Sequence, residues 1–210
     1  MAKIKKLEDT RFIVPCRGSY VYVARPKEGK DSYGIQLIVD KDKEMLGQFA
    51  KACKIAAVNK FGEKVNMKSL KMPVRMPESE YDEVPEHLEG MVFLNANQKS
   101  RAPQLMNQMG TVINRKEFTD EELEEKFYSG AHFAVQFNFY GFDVDGNKGI
   151  ACGLDAVMFT GHGERLGGGG SSVDGSNFGD FASDDMGEEG SSSDSEWGED
   201  DSEEDDDFFG

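Results

Sequence analysis

The sequence predicts a mainly β fold, a small closed barrel with one or two helices and insertions, followed by a disordered acidic tail. Three observations carry this. Strand-like runs recur between turn formers, one long segment has helical periodicity, and the net charge sits at one end. Formal charge is −16, from 40 Asp plus Glu against 24 Lys plus Arg. Residues 167–210 hold 16 acids and no Lys or Arg, so residues 1–166 are neutral with 24 of each sign. Two different polymers meet at Leu166. The tail, "GGGGSSVDGSNFGDFASDDMGEEGSSSDSEWGEDDSEEDDDFFG", is Gly, Ser, Asp and Glu with almost no aliphatic residues. Such a segment buries too little apolar surface to offset its chain entropy. The domain reading is therefore 1–166 as a folded unit and 167–210 as a tail, joined by the flexible Gly167–Gly170 run.

Strands are expected at "SYVYVA" (19–24), "YGIQLIV" (33–39), "MVFLNA" (91–96), "AHFAVQFNFYGF" (131–142) and "GIACGLDAVMF" (149–159). All are rich in β-branched and aromatic residues. "RFIV" (11–14) and "TVI" (111–113) are weaker candidates, and "DVDGNKG" reads as a hairpin turn. In residues 42–60, Met45, Phe49, Cys53, Ala56 and Ala57 fall on one helical stripe. A second helix is expected from Asp120, because Thr119 and Glu122 form a capping box and Phe118 precedes it. Five to seven strands with one major helix suit a closed barrel of the five-stranded oligonucleotide-binding (OB) type. An immunoglobulin-like sandwich would not normally hold so long a helix between strands.

Strand alternation sorts the side chains into faces. In 131–142 the set Phe133, Val135, Phe137 and Phe139 is core, leaving His132, Gln136, Asn138 and Tyr140 outside. Val21 and Val23 form the natural core pair of their strand, placing Tyr20 and Tyr22 together on the other face. Those tyrosines either cover a second apolar layer under the long helix or form a stacking platform for nucleobases. Twelve of the 24 body acids lie in 78–89 and 117–125, which lack Lys and Arg, so the remainder carries a surplus of twelve bases. That surplus includes Arg25, Lys27, Lys68, Lys71, Arg75, Lys99, Arg101 and Arg115. Cations beside exposed rings are what a single nucleic-acid strand needs, whereas an evenly salted surface is the plain alternative.

Phosphate-binding, metal-protease and nucleophile-elbow motifs are absent from the sequence. His87, His132 and His162 have no metal-ligand spacing, and Asp143, Asp145 and Asp155 fit solvated turns better than a two-metal site. The expectation is a binding protein rather than an enzyme, with no metal and no cofactor. Cys16, Cys53 and Cys152 are too widely spaced for a disulfide framework. Without an apolar stretch after "MAKIKKLEDTRF", no signal peptide is expected, and the location expected is cytoplasmic.

In their order, "SYVYVARP", "YGIQLIVDKDKEML", "NANQKSRAPQL" and "FYSGAHFAVQFNFYGFDVDGNKGIACGLDAVMFTGHGERLGG", with an acidic tail ending in Phe, resemble bacteriophage single-stranded DNA-binding proteins. The resemblance covers about Ser19 to Leu166 plus the tail's character. It implies an OB fold, sequence-independent binding of single strands at replication forks, and a tail that contacts replication proteins such as a polymerase, helicase or primase. By position, Tyr20 and Tyr22 fall in the first barrel strand and Lys99 and Arg101 in the basic loop after "NAN". In the tail, Asp205, Asp206, Asp207, Phe208 and Phe209 are the expected partner contacts, although family tails commonly end on the aromatic residue and here Gly210 follows. The tail is also expected to compete with DNA for the basic face. An acidic-tailed chaperone or DNA mimic that engages basic proteins is the alternative. The sequence leaves monomer and dimer equally open.

Overall fold

The computed structural model describes residues 4–99 and 101–166. The chain divides into two units, Met1–Gly168 and Gly169–Gly210, and the second, with Asp205 to Phe209, lies outside the described residues. In chain order the elements are β1 (Lys5–Lys6), β2 (Arg11–Tyr22), β3 (Ser32–Asp40), α1 (Lys43–Phe61), β4 (Val74–Arg75), β5 (Met91–Lys99), β6 (Gln104–Met106), α2 (Asp120–Glu124), β7 (His132–Val144) and β8 (Asn147–Gly161).

Five of the strands close a barrel in the order β2–β3–β5–β8–β7 and back to β2. All contacts are antiparallel except β5 with β8, which run parallel through Ala96↔Cys152 and Asn97↔Gly153. This connectivity is that of the OB barrel. β2 serves both ends of the ring, pairing with β7 through Arg11–Arg17 and with β3 from Arg17 onward.

The interior follows from alternation. Phe133, Val135, Phe137 and Phe139 are all buried, as the pattern requires, and Phe12, Val14, Leu37, Leu94 and Leu154 join them. α1 starts where the Asp42 side chain accepts a bond from the Met45 amide at 2.7 Å, and it ends at Gly62 with φ +87°. Its buried stripe is Met45, Phe49, Ala52, Cys53, Ala56 and Ala57. Phe49 meets Phe12, Phe137 and Phe139 edge-on at centroid distances of 5.3–5.9 Å, so the helix packs against the barrel's core. α2 begins with both halves of the Thr119–Glu122 capping box formed.

Four expectations need correction. "RFIV" and "SYVYVA" are one strand, β2, running through Pro15. Proline is tolerated there because β1 pairs only at Phe12 and Ile13 and β3 only from Arg17, so its missing N–H faces no ladder on that side. Second, β2 does not alternate simply. Ser19 pairs with Gln36 but Tyr22 pairs with Gly34, an extra residue that makes a bulge. Tyr20 sits at φ +47° and turns outward, and Val21 is only partly buried while Val23 is fully so. Third, the tyrosines do not support α1, whose buried stripe faces Phe12, Phe137 and Phe139. "TVI" provides a single bridge, Met106↔Val112, rather than a strand.

Some apolar residues are buried outside the barrel core. Ile38 and Phe93 pair with each other, and both are buried on the outer face. The segment 77–90 covers Phe93, with Tyr81 edge-on to it at 6.4 Å and Leu88 buried. Hence β3 reads as an apolar run rather than an alternating one.

Candidate nucleic-acid interface

On the outer face, strand register lines up one row of residues from β2 to β7: Tyr22, Gly34, Asn97, Gly153 and Asn138. Directly paired residues share a face, so these side chains project together. The two glycines are what make the row flat. A Cβ on Gly34 would lie 2.6 Å from Asn97 Oδ1, and one on Gly153 would lie 2.5 Å from Asn138 Oδ1 and 3.4 Å from the Tyr140 ring. Each asparagine amide therefore lies across a neighbouring glycine. Tyr140, paired with Ala151, extends the surface towards the β7–β8 hairpin and is 44% exposed. The result is a shallow surface of two rings and two amides with few aliphatic groups.

Cations border it unevenly. The Lys27 ammonium stands 5.4 Å from the centre of the Tyr22 ring. Lys99, opposite Ser32, is two residues along β5 from Asn97, and Arg101 follows it; both are exposed. Lys71 bridges to Gly149, and its main chain bonds Lys148 and Ile150, fixing it beside the Tyr140 end of β8. Lys68 is exposed in the single turn Met67–Ser69 just before it. Among the described residues, Lys27, Lys68, Lys71, Lys99 and Arg101 have no carboxylate at ion-pair distance.

The other three cations are engaged. Arg25 meets both oxygens of Glu124, at 2.7 and 3.2 Å, and Arg75 meets Glu80 at 3.0 Å. Arg115 donates to the carbonyls of Val23 (2.6 Å), Ala24 (2.7 Å) and Pro103 (3.0 Å), with its guanidinium 5.6 Å from the Tyr33 ring. Burial lowers its pKa, while Tyr33 and Asp120 oppose the shift. It ties the end of β2 to the segment before β6.

The three aspartates are apart in role. Asp143 pairs with Lys148 at 3.2 Å and Asp145 occupies the hairpin turn at φ +50°. Asp155 accepts from Gln136 and pairs with Arg11 at 3.1 Å. Among the described residues no group of three His, Cys, Asp or Glu is placed to hold a metal ion, and no helix is long and apolar enough to cross a membrane.

Sequence reasoning missed the asparagine–glycine row and the cavity behind Tyr20. That cavity, about 340 Å³, is lined by Ser19, Tyr20, Tyr22, Gln36, Tyr81 and Leu88 among others. The signal for the row was the period-two placement of Asn97 and Asn138 on otherwise apolar strands.

The fold and this surface define a class: a five-stranded OB barrel with an outer face of rings, amides and lysines that have no carboxylate partner among the described residues. The chain belongs to the family of the Enterobacter phage Enc34 ssDNA-binding protein, whose family model matches residues 12–189. Solved structures agree on the fold. The single-stranded DNA-binding protein from bacteriophage Enc34, in complex with ssDNA, is 19% identical at a TM-score of 0.62, covering 78% of this chain and 96% of that one. A C-terminal truncation of that protein is 18% identical at 0.64, covering 78% and 95%. Gp2.5, a single-stranded DNA-binding protein encoded by bacteriophage T7, is 14% identical at 0.52, covering 90% and 99%. No curated protein matches the chain.

Proposed function

We propose that this chain binds single-stranded DNA without sequence preference, in phage DNA replication and recombination, through the outer face of β2, β3, β5, β8 and β7. The observation that carries this is the registered row from Tyr22 to Asn138, flattened by Gly34 and Gly153 and bordered by cations with no carboxylate partner among the described residues. Tyr20, Tyr22 and Tyr140 stack on bases, a contact indifferent to base identity because every base has a flat face. Lys27, Lys68, Lys71, Lys99 and Arg101 follow the phosphates. Arg25 and Arg75 contribute after leaving their carboxylates, and Arg115 holds the β2 end in place from behind. Family membership supports the same reading.

The acidic tail competes with DNA for these cations. When DNA displaces it, Asp205, Asp206, Asp207, Phe208 and Phe209 become available to replication proteins in the host cytoplasm. What supports this is charge: 16 acids and no bases in 167–210, against a body with a basic surplus outside its two acidic segments. Fluorescence anisotropy of a labelled oligo-dT tests the reading. Binding at 50 mM salt that weakens steeply with added salt is expected, and no binding at that salt would overturn it.

A further inference from the structure

We propose that residues 162–166, which follow β8 without regular structure, brace the β2 bulge through residues 128–130 and so hold Tyr20 outward for stacking. Tyr128, Ser129 and Gly163 are then positioning residues for the strand-binding face, although none of them lies in its row. The inference rests on the single-strand reading above and names what sets one of its contacts.

Tyr20 is 60% exposed at φ +47°, a conformation that non-glycine residues rarely take and keep only where their surroundings hold them. β3 gives no hold there, because its register passes from Ser19 to Tyr22 and skips the two residues between. The hold comes from elsewhere. The Val21 N–H, freed by the bulge, donates to Ser129 Oγ at 3.2 Å. Just before the bulge, the Gly130 N–H donates to Gly18 O at 2.8 Å and the Gly18 N–H to Ala131 O at 3.0 Å. Residues 129–131 therefore fasten β2 on both sides of Tyr20.

Residues 128–130 are in turn held by the segment after β8. The Leu166 N–H donates to Ser129 O at 2.8 Å, on the same residue whose hydroxyl holds Val21. The Tyr128 hydroxyl donates to Gly163 O at 2.9 Å and accepts from the Gly163 N–H at 3.1 Å. Above the same ring, the Arg165 guanidinium lies 4.2 Å from its centre. Arg17, three residues before Tyr20, ties all three layers: Nε donates to Gly130 O at 3.2 Å and Nη2 to Glu164 O at 2.8 Å. The packing leaves no slack. A Cβ on Gly130 would run into Glu164 O, and one on Gly163 into Gly130 O. Leu166 also lines the cavity behind Tyr20. A shift of 162–166 is thus passed through Ser129 to the bulge, while the row from Tyr22 to Asn138, set by strand pairing, stays in place.

The test is a double-mutant cycle read by anisotropy on labelled oligo-dT, with the full-length protein at 50 mM salt. Gly163→Ala forces the segment off Gly130 without touching β2 or the row. Tyr20→Asn removes the ring and keeps a residue that tolerates the left-handed backbone. Tyr20→Asn should weaken binding by about five- to 150-fold. Gly163→Ala should weaken it by about fivefold when Tyr20 is present and by less than about twofold when Tyr20 is already Asn. Ser129→Ala, which removes only the hydroxyl on Val21, should show the same dependence on Tyr20. It stands in if thermal melting shows that Gly163→Ala does not fold. No loss from either variant, or a loss of the same size with and without the Tyr20 ring, would overturn the brace. Unchanged binding by Tyr20→Asn would also overturn it and leave Tyr22 and Tyr140 as the stacking rings. Failure of the wild type to bind oligo-dT would overturn the single-strand reading and the brace with it.

Discussion

Tyr22 and Tyr140 stand at opposite ends of the outer row, and their removal separates stacking from charge. Tyr140→Ala should cost ~1–3 kcal/mol in strand binding, about five- to 150-fold in Kd, while Tyr140→Phe should change little because the ring remains. Anisotropy on oligo-dT reads both, and an equal loss in the two variants would mean that the hydroxyl, not the ring, makes the contact. Arg115 should behave in the opposite way. Its guanidinium serves three carbonyls, so Arg115→Ala leaves buried acceptors unpaired and should lower the melting temperature. The thiols give a pH dependence of stability. Burial pushes the Cys53 thiol up to about 12, and Cys16 and Cys152 are raised too. Above the unfolded thiol value the unfolded chain binds fewer protons than the native one, so stability falls as pH rises. The contribution is complete below about pH 8.5 and declines by ~1.4 kcal/mol per thiol per pH unit until the folded value is reached. Urea midpoints between pH 8 and 10.5 should drop, and Cys16→Ala, which removes one of the titrating thiols, should flatten the slope.

At the scale of elements, α1 depends on one ring. Phe49 makes edge contacts with Phe12, Phe137 and Phe139, so Phe49→Ala should cost ~3–5 kcal/mol in urea unfolding, with loss of helix signal in the same transition. Both α1 and β7 were legible in the sequence because each buries one regular face: a stripe at helical spacing, and four apolar residues at period two. β2 was not, for two local reasons. Pro15 reads as a breaker unless one knows that β1 and β3 leave its N–H side open, and the bulge at Ser19–Tyr22 resets the faces without altering composition. The cover over Phe93 was illegible too, since an apolar run looks the same whether a partner strand or an insertion buries its second face. Arg115 shows the limit for single residues. As a charge it resembles Lys99, and only the three carbonyls around it assign it to holding the fold. The amide row escaped notice because it exists only in register across four strand pairings.

For the whole molecule the decisive quantity is where charge sits. The body is neutral in sum, yet its two acidic segments leave a basic surplus elsewhere, and the tail carries the entire net charge. The family match reaches residue 189 and so includes the first half of the tail, but stops before the densest acids at 199–207. Were residues 167–210 an unstructured chain, their r.m.s. reach would be ~35–40 Å, against a radius of gyration of ~15 Å for a domain of 166 residues. If the tail competes with DNA as proposed, reach would not limit that competition and salt would, because both competitors would be polyanions on the same cations. Deleting 167–210 should tighten oligo-dT binding most at low salt. For ~5 phosphates contacted at ~0.7 ions each, affinity of the tail-deleted protein should fall roughly a hundredfold between 50 and 200 mM salt. The intact protein should show a shallower slope, since salt weakens its inhibitor along with its ligand, and the two curves should converge at high salt. Parallel slopes offset by a constant factor would point to a tail acting through something other than shared cations, and weaker binding without the tail would reject competition.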